Sequence, residues 1–574
     1  MPGAPFIAAG CYNAAAQALK TWRKPCRMNW QLSNIKAGVT MNTTANTTPL
    51  TISDLQSGES YLAQLSLANP AIAEQQLMAF LDALLTTPPD PGILLSLLER
   101  ARVPMCFVEE EMARRYHNKP LILADEEELS FQMVVSAWRK MSKAYSLCAR
   151  LEEPDAENPQ YAALMATLLH RCLYYTGMVI LEHFRARREL PEGIWLELHG
   201  YYETAEEWGV AYTPVEDLLE NTLQATHCAA AYATLLLIDI ASPYSNSVRN
   251  LNLIRRWAGM WAPLISIHRL EDDLEEPPYV VALMKDMPLH PSAITDGPSN
   301  DLRRLDTARI GLQIGHLLSQ LRQRMTPSQL GLGEETSGHV IQLLEHLSRP
   351  WTQSASPRKF RRFATEGRAQ VAAGFEAMHF FVSGREFVQP DSASAYSRGE
   401  FDQLFTFRDR ADPGQALNIT PHISFPLDEW SVINHSANGF RLARSCAGQK
   451  VTHGELMAVR PHDGQHFLLV HATWLMQEQS GGLIVGVAIL PGMPRGIGVR
   501  LVVTGGAISD RYVPAFQLPP VPAIKEEGSL VLPTGMYQAS RILEAYCGDE
   551  TWQLRMLHVL QRGTDFDRIS YQAV

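Results

Sequence analysis

The chain has 574 residues, 46% of them hydrophobic and 19% charged. That is too long for one core, so about two to four domains are expected, each able to bury an interior. A formal net charge of −11 excludes a general nucleic-acid binder, which needs a net basic face for phosphate, but leaves room for a local basic site.

Residues 1–51 open the chain as an expected mobile tail, rich in Ala, Asn and Thr, with Met28 as an alternative start. Small apolar residues precede Lys20, Arg23, Lys24 and Arg27, the reverse of signal-peptide order. Residues 52–350 read as an α-helical domain, either a bundle or a solenoid. Leu129, Met133, Ala137, Met141 and Tyr145 form one apolar stripe at four-residue steps. Gln160–Arg188 is a second long periodic run, with a basic end that suits a helix C-terminus and Pro191 just beyond it. Glu192–Trp208, Pro214–Ala241 and Val248–Trp261 follow as helices. Trp195, Leu198 and Tyr202 have the spacing of a tetratricopeptide first helix, but His199 stands where a small residue is usual, and no 34-residue period recurs. A helix burying these three in an ordinary core is the plainer reading. Pro277, Pro278, Pro288 and Pro291 mark a strand or loop insertion over about 263–306, after which helix resumes at Leu302–Arg324 and Ser337–Leu347.

At Pro350 the pattern changes to short apolar runs separated by turn residues, the mark of antiparallel β-structure. The expected strands are Ala369–Val371, Phe375–Val382, Glu429–Ile433, Gly439–Ala443, Glu455–Arg460, His466–Trp474, Leu483–Leu490, Gly498–Val503, Tyr512–Leu518, Ser529–Leu532, Arg541–Tyr546, Trp552–Leu560 and Asp567–Tyr571. That is more than one small barrel needs. The division expected is a β-barrel over 351–518 with an inserted loop at 386–425, then a β extension over 519–574 packed on it. Pro514, Pro519, Pro520 and Pro522 are read as a hinge or an edge.

The eight cysteines are scattered without Cys-x-x-Cys spacing, so zinc ribbons and thioredoxin-like motifs find no support, and a reducing, cytoplasmic compartment is expected. No run of about 18 uninterrupted apolar residues suggests a transmembrane helix. There is no P-loop, nucleophile elbow, His-Glu-x-x-His or kinase motif set, so no catalytic residue is assigned. His462 and His466 flank a Pro461–Gly464 turn and read as a hairpin tip, and Glu271–Glu276 reads as a solvated acidic loop, so no metal site is assigned either.

Two segments carry chemistry. Arg349 to Arg368 holds Arg349, Arg358, Lys359, Arg361, Arg362 and Arg368 against one acid, Glu366, with Phe360 and Phe363 between them. A guanidinium fork grips a phosphate or the O6/N7 edge of guanine with two hydrogen bonds, and it stacks flat on a base. Asn434-His435-Ser436-Ala437-Asn438-Gly439 lies between two strand-like runs. Its amide both donates and accepts, its hydroxyl turns either way, and its glycine admits close approach.

Together, Arg358-x-x-x-Arg362 and Asn434-x-Ser436-x-x-Gly439 resemble the two ligand-binding motifs of PilZ domains, the β-barrels with which bacteria sense the second messenger cyclic di-GMP. The resemblance covers roughly residues 357–518. Leu483–Leu490, with its embedded Gly486, is similar to a late PilZ strand, and His471–Leu475 to the strand before it. It implies that Arg358 and Arg362 clamp phosphates and stack on guanine, with Arg361 the alternative second clamp, and that Asn434, Ser436 and Gly439 form the guanine-facing wall. The long spacer from Phe363 to Ile433 means that the motifs meet only if the 386–425 insertion loops out. The resemblance further implies a receptor in signal transduction and not an enzyme, without cofactor, metal or nucleic-acid polymer, that relays ligand occupancy to a protein partner through its helical domain. The alternative is a ligand-independent scaffold with a degenerate barrel.

Overall fold

The computed structural model describes residues 50–151, 158–219, 225–270, 277–292, 300–353, 363–390, 425–502, 511–548 and 550–574. The expected tail, apart from Leu50 and Thr51, and most of the expected 386–425 insertion lie outside them. The chain forms two compact units, Met1–Asn118 with Leu123–Pro357, and Lys119–Ile122 with Arg358–Val574.

The first unit is mainly helical. Its helices are α1 (Leu55–Ala63), α2 (Pro70–Thr86), α3 (Pro91–Ala113), α4 (Asp125–Leu151), α5 (Pro159–Arg185), α6 (Ile194–Glu207), α7 (Cys228–Ile240), α8 (Val248–Trp261), α9 (Ala308–Arg322) and α10 (Ser337–Trp351). Local chemistry fixes many of their starts. Asp54, Asn69, Asn158, Ser247 and Thr336 accept hydrogen bonds from first-turn N–H groups, and Pro70, Pro91 and Pro159 occupy first-turn positions where no N–H is missed. The long run after Asn158 becomes α5, the centre of the unit. Among the described residues it is the one helix long and apolar enough to cross a membrane, yet 83% of its most apolar window lies inside the fold. Trp195, Leu198 and Tyr202 all point inward from α6, and Tyr202 stacks on Tyr232 of α7 at 4.3 Å. His199 is buried beside them, bonded to the Tyr232 hydroxyl at 2.8 Å and the Met287 carbonyl at 3.0 Å, which accounts for a polar residue where a repeat would carry a small one.

Two expectations for this unit are corrected. Pro214–Ala241 is not one helix. Two-residue strands β1 (Val215–Glu216) and β2 (Ala225–Thr226) pair first, and α7 begins only after His227, whose ring accepts from the Ala230 N–H. The cause is long-range. Asp217 is buried between Arg102, at 2.8 and 2.9 Å, and Arg171, at 3.2 Å, and these partners lie on α3 and α5. Likewise Leu302 opens a strand, not a helix. β3 (Ser266–Arg269), β4 (Tyr279–Ala282), β5 (His290–Pro291) and β6 (Leu302–Asp306) form a sheet in the order β3-β6-β4-β5, and α9 starts behind it. Arg303 of β6 is tied to Glu206 of α6 at 2.7 Å.

The second unit holds two closed antiparallel barrels. Strands β7 (Phe363–Ala373), β8 (Asp428–Ser436), β9 (Gly439–Arg444), β10 (Leu456–Pro461), β11 (Leu468–Gln477) and β12 (Leu483–Ile489) close in the order β10-β11-β12-β9-β8-β7. Strands β13 (Arg495–Leu501), β14 (Val513–Leu518), β15 (Ser529–Pro533), β16 (Ile542–Cys547), β17 (Glu550–Arg562) and β18 (Phe566–Ala573) close in the order β13-β14-β15-β18-β17-β16. The changeover falls between Ile489 and Arg495, not after 518, and what the sequence suggested as an extension is part of a barrel of its own. Pro514 is no edge residue, since it sits within β14 opposite Gly498.

Phe375–Val382, expected as a strand, is a helix, α11 (Phe375–Ser383). Gly374, at φ +84°, turns the chain out of β7. Phe375, Met378, Phe381 and Val382 then share one face at helical spacing and pack into a core made by both barrels, with Leu456, Phe467 and Leu469 on one side and Phe516, Leu518 and Phe566 on the other. The segment Lys119–Ile122 also belongs to this unit. Leu121 pairs with Val451 through two backbone hydrogen bonds of 2.8 and 2.7 Å.

Glu74 of α2 and Glu109 of α3 are buried, and neither carboxylate has a hydrogen-bond partner among the described residues. Burial pushes Glu74 up to about 7, and burial reinforced by the Glu74 charge raises Glu109 well above the usual carboxylate range. Both acids therefore hold protons in the folded chain that the unfolded chain releases above its own pKa, near 4.5. Their contribution is fully favourable below that value and is lost as pH rises, for Glu74 between about 4.5 and 7. Glu74→Gln and Glu109→Gln are expected to raise the thermal midpoint by several degrees at pH 8, with the gain fading toward pH 4.5. A pH-independent difference in calorimetry would contradict the assignment.

Candidate functional site

Strand alternation would place Asn434 on the wrong side of the first barrel. Trp430 and Val432 of β8 are buried, so with a period of two residue 434 would face the interior as well. A register shift between Val432 and Asn434 prevents this. Val432 pairs with Leu442 of β9 and Asn434 with Arg441, which leaves Ile433 as an extra residue on β8. Leu442 is 1% exposed and points inward, so Arg441 and its partner Asn434 point outward. The facing strand β7 carries a matching irregularity, with Ala364 opposite Asn434 but Gly367 opposite Val432.

The hairpin beyond Asn434 is held tightly. The Asn438 N–H donates to the Ser436 hydroxyl at 3.4 Å, and that hydroxyl reaches the Gly439 carbonyl at 3.5 Å. The Ile489 N–H donates to the Asn438 carbonyl at 2.8 Å, which pins the turn to the end of β12. A Cβ on residue 439 would lie 1.9 Å from the Val487 carbonyl oxygen, so only glycine fits. Asn434, Ser436 and Gly439 thus come together on one β8–β9 hairpin, and among the described residues nothing bonds the Asn434 amide.

The row continues across the outer surface. Arg441 pairs with Gly486 of β12, and Gly486 with Trp474 of β11. A Cβ on residue 486 would fall 1.9 Å from the Trp474 indole nitrogen, so the ring lies directly over that glycine. The Arg441 guanidinium sits 5.6 Å from the indole centroid, and its Nε is buried without a hydrogen-bond partner among the described residues. An amide, a guanidinium and an indole therefore form one outward shelf. Arg441 and Trp474 were not singled out from the sequence. The signal that could have found them is a lone glycine in an apolar strand opposite a tryptophan. Arg444 of the same strand is not part of this shelf, because it is held by Asp428 at 2.8 Å and lies 4.8 Å over the buried Trp430 ring.

Arg358, Arg361 and Arg362 lie outside the described residues. The strand they lead into is described. Phe363, the residue bonded to Arg362, pairs with His435, their rings 5.8 Å apart, and Ala364 pairs with Asn434. The arginine motif therefore ends one residue before a strand whose first pairs belong to the asparagine motif. Beside these pairs the irregular β7–β8 register opens a hollow of about 780 Å³, lined by Ala364, Glu366, Arg368, Ser431 and Ile433. Arg368 meets Glu429 at 3.1 Å on the exposed rim, a pair of little energetic weight.

Comparison with known proteins gives three consecutive family matches. Residues 56–273 match the N-terminal domain of the cyclic-di-GMP receptor FimW, residues 279–410 its middle PilZ domain, and residues 497–574 its C-terminal β-barrel domain. The last coincides with the second barrel. The middle match takes in Arg358 to Arg362 and ends before Asn434. The chain is 24% identical over 498 residues to the cyclic-di-GMP receptor FimW of Pseudomonas aeruginosa, covering 79% of this chain and 80% of that protein. No solved structure matches.

The glycine geometry makes a direct test. Gly439→Ala should destabilise the barrel unit by about 1–3 kcal/mol, the usual cost of forcing a methyl into occupied space. Denaturant unfolding followed by tryptophan fluorescence measures it, and an unchanged midpoint would show that the Val487 carbonyl gives way freely.

Proposed function

Since the chain belongs to the FimW family of cyclic-di-GMP receptors, with its middle PilZ domain, we propose that it binds cyclic di-GMP on the outer wall of the first barrel. The observation that carries this reading is the β8 bulge, which turns Asn434 outward beside the strand that follows Arg362. In this reading Arg358 and Arg362 clamp the two phosphates and stack on guanine, with Arg361 as the alternative second clamp. Asn434 reads a guanine edge through an amide that both donates and accepts. Ser436 and Gly439 hold the wall in place. The Arg441–Trp474 pair extends that wall with a cation beside a flat aromatic face, a surface on which a base stacks.

The chemistry proposed is reversible binding, without a cofactor. The ligand's differential affinity for two arrangements of the chain would shift their populations, and the helical unit would pass that shift to a protein partner. A cytoplasmic setting goes with this reading.

Calorimetric titration of cyclic di-GMP tests the assignment. Wild type should bind. Arg358→Ala, Arg362→Ala and Asn434→Ala should each weaken binding by about tenfold or more, the usual effect of losing a charged or buried hydrogen bond. Trp474→Leu should weaken it by about five- to hundredfold if a base stacks there. Tight binding that none of these changes affects would remove the site and leave the receptor standing. No binding by wild type would favour the ligand-free scaffold.

A further inference from the structure

The helical unit contains a cavity of about 570 Å³ among α3, α5, α7 and α8. Its volume falls in the range of small-ligand sites. Its polar groups have an unusual bias. Arg185 is engaged at both terminal nitrogens, with Glu110 and Glu182 each at 2.9 Å and the Asn252 Oδ1 at 2.9 Å, and its buried Nε has no partner among the described residues. Glu110, the acid that the described lining contributes, is therefore already paired. Asn252 has committed its oxygen, and its NH₂ group remains.

His170 is 2% exposed, and its Nδ1 lies 3.0 Å from the Arg171 Nη1. A guanidinium has no acceptor, so the imidazole must accept there, and its own proton sits on Nε2. Burial keeps the ring neutral, its pKa down at about 3. Neither His170 Nε2 nor the Tyr174 hydroxyl has a protein partner among the described residues. Arg255 has one bond there, to the Met178 thioether at 3.4 Å, a weak acceptor. The groups left over are an imidazole N–H, an amide NH₂ and a guanidinium, together with the hydroxyls of Tyr174 and Thr226, which can also accept. All donate.

A nucleobase suits such a set less well than a carboxylate, because its edge presents N–H donors as well as acceptors and the groups left over offer only hydroxyls to accept. A carboxylate accepts only. The remaining wall is apolar, with Leu173, Leu181, Leu235 and Ile238. We propose that this cavity binds a carboxylate carried on an aliphatic body, its head on Arg255, Tyr174 and His170 and its chain along the leucines. Two sources share this chemistry, the free C-terminus of a protein ending in an apolar residue and a free medium-chain acid.

The test uses the full chain and three probes: octanoate, the peptide acetyl-Ala-Ala-Leu as the free acid, and the same peptide as its C-terminal amide. Calorimetry should show binding of at least one acid and none of the amide. Arg255→Met should weaken the acid at least tenfold, and Arg255→Lys should restore part of it, with circular dichroism confirming that both variants are folded. Octanoate binding alone assigns the site to a free acid, and peptide binding alone assigns it to a chain terminus. Equal binding of acid and amide, an unchanged affinity in Arg255→Met, or no binding of either acid would overturn the proposal. Cyclic di-GMP affinity should be the same in all three proteins, so failure here and failure of the barrel site are told apart.

Discussion

One extra residue in β8 decides what the first barrel can present. A β-strand sends alternate side chains to opposite faces, and β8 commits its Trp430 and Val432 to the interior. Without the slip at Ile433 the polar Asn434 would be driven into an apolar core, where an unmet amide costs about 1–3 kcal/mol. With it, Asn434 stands outside in line with Arg441, Gly486 and Trp474, and the Ile489 N–H bond to the Asn438 carbonyl pins the following turn. The outer wall is thus a property of register more than of any single side chain. It needs a small residue at two points, 439 and 486, where backbone or ring already fills the space.

Much of the architecture was readable in the amino-acid pattern, because it rests on local chemistry. Helix starts were marked by Asn, Asp, Ser and Thr caps and by prolines, and strands by short apolar runs between turns. The misreadings share a cause. Phe375–Ser383 is as apolar as a strand, and only its contact with both barrels makes it a helix. The 214–227 stretch is set by Asp217 reaching Arg102 and Arg171, which are far away in sequence. The division between the barrels was misplaced because thirteen similar runs do not announce where a ring closes. At the candidate site the asparagine motif was legible and its outward aim was not, since a bulge is one residue long and leaves no compositional mark. The arginine motif was equally legible, and its placement lies outside the described residues.

Buried charge is committed to partners in most places, with Arg441 an exception. The chain carries a formal net charge of −11, yet its helical unit buries Arg102, Arg171 and Arg185 against carboxylates and holds two further acids, Glu74 and Glu109, without a hydrogen-bond partner among the described residues. Removing one member of such a pair leaves a stranded ion, which makes these positions intolerant of change. In the barrel unit Arg441 lies over the Trp474 ring without an ion pair among the described residues, whereas Arg444 over Trp430 is also held by Asp428 and Arg460 over Phe467 by Gln370. Arg441, held on a ring, keeps hydrogen-bonding edges available to a ligand, which a cation locked between carboxylates does not.

Finally, the Leu121–Val451 pairing bears on how the protein can be dissected. Residues 119–122 sit in sequence between α3 and α4 but pair with the barrel unit, so that unit is built from two separate stretches of the chain. A single cut after Pro357 would not release an intact C-terminal fragment. It would strip Val451 of its backbone partner and leave the N-terminal piece with an orphaned loop. Excising either half cleanly takes two breaks and a splice.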